Sequence, residues 1–180
     1  PAKVSLYKVN PTGDGINGAQ FTVYTDAECT TPLTDENGET VIVFTDPDGF
    51  GISNPIKVSK DGTLTVFLKE TAVEDTRVKL NPTVFEVKLI AGEITEANNG
   101  EVIVDDWKPS KLELYKLNEN GDMLEGVTFG VYDDIECTSA AMDASGKPIV
   151  LVTNKDGYAI SNDVYVNKDG TRKLFVKEIG

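Results

Sequence analysis

Three residues in this chain are of types, and at positions, that together could make an amide bond. In Val4-Ser5-Leu6-Tyr7-Lys8-Val9, the two-residue period of a strand puts Val4, Leu6 and Lys8 on one face. A lysine thus continues an apolar stripe. Leu64, Val66, Leu68 and Glu70 share a face of a second strand that ends in a carboxyl, and Ile103, Asp105 and Trp107 share a face of a third. Burying an ammonium is costly, so a lysine so placed is expected to be neutral or chemically used. A protonated Glu70 can hydrogen-bond the Asp105 carboxyl, polarise its carbonyl and relay protons while the Lys8 amine attacks. Water leaves and an amide joins the first strand to the last. The event occurs once per molecule, so it is self-modification and not turnover. The competing reading of the same residues is ordinary surface charge at strand ends.

These residues lie in elements that are duplicated. Val4 to Asn10 reappears as Leu112-Glu113-Leu114-Tyr115-Lys116-Leu117-Asn118, and Gly18 to Tyr24 as Gly126-Val127-Thr128-Phe129-Gly130-Val131-Tyr132. Asp26-Ala27-Glu28-Cys29-Thr30 returns as Asp134-Ile135-Glu136-Cys137-Thr138, Lys60-Asp61-Gly62-Thr63 as Lys168-Asp169-Gly170-Thr171, and Lys69-Glu70 as Lys177-Glu178. Every pair is 108 positions apart without a gap, and about 32 of the 72 alignable positions are identical, far above chance. The expected division is residues 1–108, a complete domain, and residues 109–180, a second copy lacking its closing strands. In that copy Lys116 and Glu178 match Lys8 and Glu70, but their aspartyl partner is missing, so no bond is expected there. An exposed edge of the second copy is expected to take a strand from elsewhere or be mobile. Cys29 and Cys137 occupy one position in two consecutive copies and are expected to stay unpaired thiols.

Short segments of alternating hydrophobicity predict strands near 3–9, 20–24, 40–45, 55–58, 64–70, 83–90 and 101–106, then near 111–117, 128–132, 148–153, 163–166 and 172–178. Asp-Gly and Asn-Gly turns separate them. The fold class is therefore all-β, with tandem β-sandwich domains and little helix. The Asp-rich turns lack the remaining ligands of a calcium loop and read as turn chemistry; no metal or cofactor is expected. Histidine is absent, which removes the commonest general base and metal ligand. With a net charge of −13, nucleic acid is not an expected partner, and no apolar run is long enough to cross a bilayer. No nucleophile motif or phosphate loop points to an enzyme acting on an external substrate.

Leu6-Tyr7-Lys8-Val9-Asn10, Gly18-Ala19-Gln20-Phe21-Thr22-Val23-Tyr24, Leu68-Lys69-Glu70-Thr71 and Val102-Ile103-Val104-Asp105-Asp106-Trp107-Lys108-Pro109 carry a resemblance. The chain resembles the Cna-B/SpaA-like domains of Gram-positive adhesins and pilins, immunoglobulin-like sandwiches with intramolecular isopeptide bonds. The last motif looks like the closing strand of Lys–Asp members; many members have Asn in that place. The resemblance implies Lys8 as nucleophile, Asp105 as electrophile and Glu70 as promoting acid. It implies a stalk or spacer in a secreted, cell-wall-anchored surface protein, with neighbouring repeats as partners and an anchor outside these residues. A pilus shaft is a narrower form of that reading, although no Tyr-Pro-Lys segment or sorting signal is present. The alternative is an adhesive module whose loops recognise host matrix protein or glycan, with Tyr7, Tyr24, Phe50, Tyr115, Tyr132 and Tyr158 as candidate contacts.

Overall fold

A computed structural model describes residues 1–180, which form two compact units, Pro1–Trp107 and Lys108–Gly180. All regular elements are strands except one short 3-10 turn, Ala97–Gly100.

The first unit is a sandwich of two four-stranded sheets. One is centred on β1 (Lys3–Val9). β4 (Phe50–Ile52) runs antiparallel on one side of it, with Tyr7 opposite Phe50 and Leu6 opposite Gly51. Two short parallel strands also pair with β1. β7 (Ile94–Glu96) aligns with Lys3–Ser5, and β8 (Ile103–Val104) aligns with Lys8 and Val9. The 3-10 turn lies between them in sequence, with Asn98 and Asn99 at φ 59° and 55°. Asparagine tolerates that left-handed region better than most residues. The other sheet runs β3 (Ile42–Phe44), β2 (Gln20–Tyr24), β5 (Thr63–Ala72), β6 (Phe85–Ile90). Alternation along these strands turns Val4, Leu6, Phe21, Val23, Val43, Val66, Leu68, Leu89 and Ile103 into one core, each almost wholly buried.

The second unit has β9 (Glu113–Tyr115) paired with β12 (Tyr158–Ile160), and β10 (Thr128–Tyr132) between β11 (Val150–Val152) and β13 (Phe175–Glu178). Its core gathers Val131, Ala141, Ile149, Leu151, Ala159 and Val164. Leu114 and Phe129, whose counterparts Leu6 and Phe21 are buried, are only half-covered here.

Some expected strands shrink. Residues 55–58 and 163–166 supply only single bridges, Ala2 to Ile56 and Ser110 to Val164. In place of strands there, β4 and β12 pair with β1 and β9 just after the Asp48-Gly49 and Asp156-Gly157 turns. Gly49 has φ +82°, and a Cβ on it would lie 2.2 Å from the Lys8 carbonyl oxygen; Gly157 repeats this against Lys116 at 2.7 Å. Only a residue without a side chain lets that turn approach the strand so closely.

The Asp-rich turns are closed by their own carboxylates. Asp35 Oδ1 accepts from the N–H of Asn37 and Glu39, and Asp46 Oδ1 from those of Asp48 and Phe50. These are Asx turns, in which the side chain substitutes for a backbone acceptor.

Candidate functional site

The strongest concentration of buried charge lies in the first unit. β1 carries Lys8 on its inward face, after Val4 and Leu6. The Lys8 backbone is held on both sides: its N–H donates to Gly49 O at 2.7 Å, and its carbonyl accepts from Ile16 N–H at 2.9 Å. β8 is in parallel register with Lys8 and Val9, and two residues beyond Ile103 the chain turns Asp105 inward. The Asp105 N–H donates to Val9 O at 3.0 Å, which fixes the aspartate beside the lysine. Glu70 comes from the facing sheet. It pairs with Phe21, and the register slips at this point, so Gln20 pairs with Ala72 and Thr71 is passed over in the strand register. Such irregularities aim a side chain at the end of a pairing.

The three side chains meet inside the sandwich, where Lys8, Glu70 and Asp105 have no solvent-exposed side-chain surface. Lys8 Nζ donates to Asp105 Oδ1 and lies 3.0 Å from Glu70 Oε2. The Phe21 ring covers the amine, its centroid 5.8 Å from Nζ. Neither Glu70 oxygen is in hydrogen-bonding geometry with a donor, nor is Asp105 Oδ2. Burial pushes the Glu70 carboxyl up to about 7, with a contribution from the neighbouring Asp105 carboxyl and opposition from Lys8. In this dry space Glu70 is disposed to hold a proton. The set is an amine in contact with two carboxyls, shielded from water, and these are the groups that amide formation requires.

The second unit presents only part of this set. Lys116 Nζ is 3.5 Å from Glu178 Oε2, with 32% and 48% of those side chains exposed. The position 108 beyond Asp105 lies past Gly180. An open, solvated ion pair of this kind contributes little.

Tyr7 meets Phe50 at 5.1 Å between centroids and Tyr115 meets Tyr158 at 5.0 Å, both tilted, so each unit repeats one cross-strand aromatic pair. Cys29 and Cys137 are free thiols at φ 55° and 57°, in turns closed by Asp26 and Asp134. Two contributors to the lysine site carry no chemical signature in the sequence. Phe21 stands in a repeated motif and Gly49 in an Asp-Gly turn. The recurrence of Phe and Gly at 129 and 157 was the available signal for both.

No protein-family model matches this sequence. A curated relative, the B-type flagellar hook-associated protein 2 of Pseudomonas aeruginosa, is 29% identical over 152 residues, covering 82% of this chain. The chain spans 28% of that relative's length. Among solved structures, it is similar to the Bacillus anthracis TIE protein, with TM-score 0.48, 17% identity, and coverage of 99% of this chain and 31% of that one. It is similar to a streptococcal ancillary pilin, with TM-score 0.49, 18% identity, and coverage of 99% and 53%. The shaft pilin SpaA from Lactobacillus rhamnosus GG aligns with TM-score 0.38, 14% identity, and coverage of 99% and 88%.

Proposed function

We propose that this chain is a structural spacer of a bacterial surface protein, and that its first domain is locked by an isopeptide bond between Lys8 and Asp105, promoted by Glu70. The observation that carries this reading is the fully buried Lys8 amine, set against the Asp105 carboxyl and 3.0 Å from Glu70. An ordinary salt bridge is a poor use of such a place, because desolvating three ionisable groups costs several kcal/mol per ion. A condensation removes the charges.

Lys8 passes its ammonium proton to the Asp105 carboxylate that it contacts, and the amine so formed attacks Cγ of the resulting acid, forming the C–N bond. Glu70, as the acid, supplies the proton with which the aspartyl hydroxyl departs as water, and regains one from the attacking nitrogen. Amine plus carboxylic acid becomes amide plus water, with Glu70 unchanged. Holding the reactants in contact replaces a slow bimolecular condensation with an intramolecular one.

The bond would join positions 97 apart in the sequence. By the chain-entropy argument for disulfides, a loop of roughly a hundred residues contributes about 4–5 kcal/mol. Unlike a disulfide, an amide resists reduction. Tension applied through the ends of the unit would pass across the bond and spare the sheets. The domains 1–108 and 109–180 then act in series with neighbouring repeats, away from the cell body.

Intact mass tests the mechanism. The expected result is a wild-type mass lower than the plain sequence by one water, restored in Lys8→Ala, Asp105→Ala and Glu70→Ala and left unchanged by Lys116→Ala. A wild-type mass equal to the plain sequence would overturn the bond. Loss of ammonia would move the assignment to an asparagine.

A further inference from the structure

The connection between β5 and β6 forms no regular strand, yet it lies along the segment that carries Asp105. Asn81 Nδ2 donates to Val104 O at 3.1 Å, one residue before the aspartate. Lys79 N–H donates to Asp106 O at 2.8 Å, one residue after it. Val78, which is buried in the core, bridges antiparallel to Trp107. With β1 on the other side, the segment around Asp105 is held along both of its edges.

The connection has a fastening of its own. Arg77 forms a two-pronged pair with Asp75, Nε to Oδ1 at 3.0 Å and Nη2 to Oδ2 at 2.8 Å, while its backbone N–H donates to the same Oδ1. The guanidinium lies 5.2 Å from the centre of the Trp107 ring. With 72% of its side chain exposed, Arg77 is positioned by these two contacts and not by core packing. A planar guanidinium held at two points presents a defined face to an aromatic ring.

We propose that residues 75–81 are a clamp that presents Asp105 to Lys8, and that Asp75, Arg77, Asn81 and Trp107 are positioning residues for cross-link formation. This rests on the isopeptide reading. β8 is only two residues long, and a strand that short gives little hold on the residue following it. The clamp limits the excursions of the Asp105 carboxyl from the amine. Effective molarity in an intramolecular reaction depends on that restriction, and small misplacements lower rates steeply. Lys8 has no corresponding need, since a seven-residue strand already holds it.

The test is a time course on newly synthesised full chain. Cell-free product is chased at fixed pH, quenched in acidic denaturant and read by mass for water loss. Arg77→Ala and Asn81→Ala are expected to slow the reaction by about tenfold or more. Both should reach complete water loss eventually, with the pH midpoint of the rate unchanged because Glu70 sets it. Arg77→Lys keeps the charge but loses the planar fork, and should also be slow. Folding is measured separately in a Glu70→Gln background, where Trp107, the single tryptophan, reports it by fluorescence. Equal folding rate and stability with and without Arg77→Ala support positioning. Wild-type kinetics in Arg77→Ala and Asn81→Ala would overturn the clamp, as would loss of the folded state in the Glu70→Gln background, which would make the connection merely structural. A wild-type chain that never loses water would overturn the isopeptide reading and the clamp with it, a result distinct from normal water loss unaffected by the variants.

Discussion

Glu70 is subject to opposing influences: burial and Asp105 favour its acid form, while Lys8 favours its anion. The first two prevail, and the folded value rises from 4.5 to about 7. A carboxyl raised in this way keeps its proton as pH climbs past its unfolded value and loses it through the folded one. Because the proposed step uses the acid form, its rate should fall as pH rises through about 7. A rate that rises monotonically from pH 6 to 9 would contradict the role. Glu70→Gln keeps a hydrogen-bond donor near Asp105 but cannot take up and return a proton. It should slow water loss by about 10² to 10⁴-fold, the usual worth of general acid–base catalysis. Mass time courses over a pH series check both.

At the scale of the element, the turn before β4 matters as much as β1. Gly49→Ala would bring a methyl carbon to 2.2 Å from the Lys8 carbonyl and force a left-handed φ on alanine. Gly38 has nearly the same φ, +79°, but nothing lies within 4 Å of the added carbon. Gly38→Ala should cost about 1–2 kcal/mol from conformation alone. Gly49→Ala should cost more than that and slow the cross-link, because the clash falls on the residue that carries the amine. Denaturant melts of the two variants, beside the mass assay, separate these effects. β1 and β2 were legible in the sequence to the residue, since an alternating stripe bounded by turn residues leaves no other reading. β4 and β12 were not, because their middle residues, Gly51 and Ala159, offer almost no side chain to pattern and both follow turns. β7 is too short and too polar to stand out, and its pairing with β1 is a tertiary matter. The inward lysine and glutamate could be read from parity. That Phe21 lies over the amine, and that residues 75–81 lie along the closing segment, depends on how sheets and loops stack, which no local pattern encodes.

For the molecule as a whole, the two units differ in how completely they cover their cores. Phe21 is fully buried and Phe129 is not; Lys8 and Glu70 are sealed, while Lys116 and Glu178 meet water. Thermal or denaturant unfolding is expected in two steps, with residues 108–180 lost first. Lys8→Ala should lower the second step by about 4–5 kcal/mol and leave the first unmoved, as calorimetry or urea titration would report. The distance along the chain between Lys8 and Asp105 has one more result. The proposed bond, between positions 97 apart, would turn most of the first unit into a ring with two tails. Dissolved in strong denaturant, a linear chain of 180 residues would spread to a radius of gyration of about 45 Å. A ringed chain would have no such freedom, and on a denaturing gel it would run ahead of its Lys8→Ala counterpart of nearly equal mass. Stripped of every strand and turn, the polymer would still be a loop, carrying in its covalent connectivity the one contact that folding had to find.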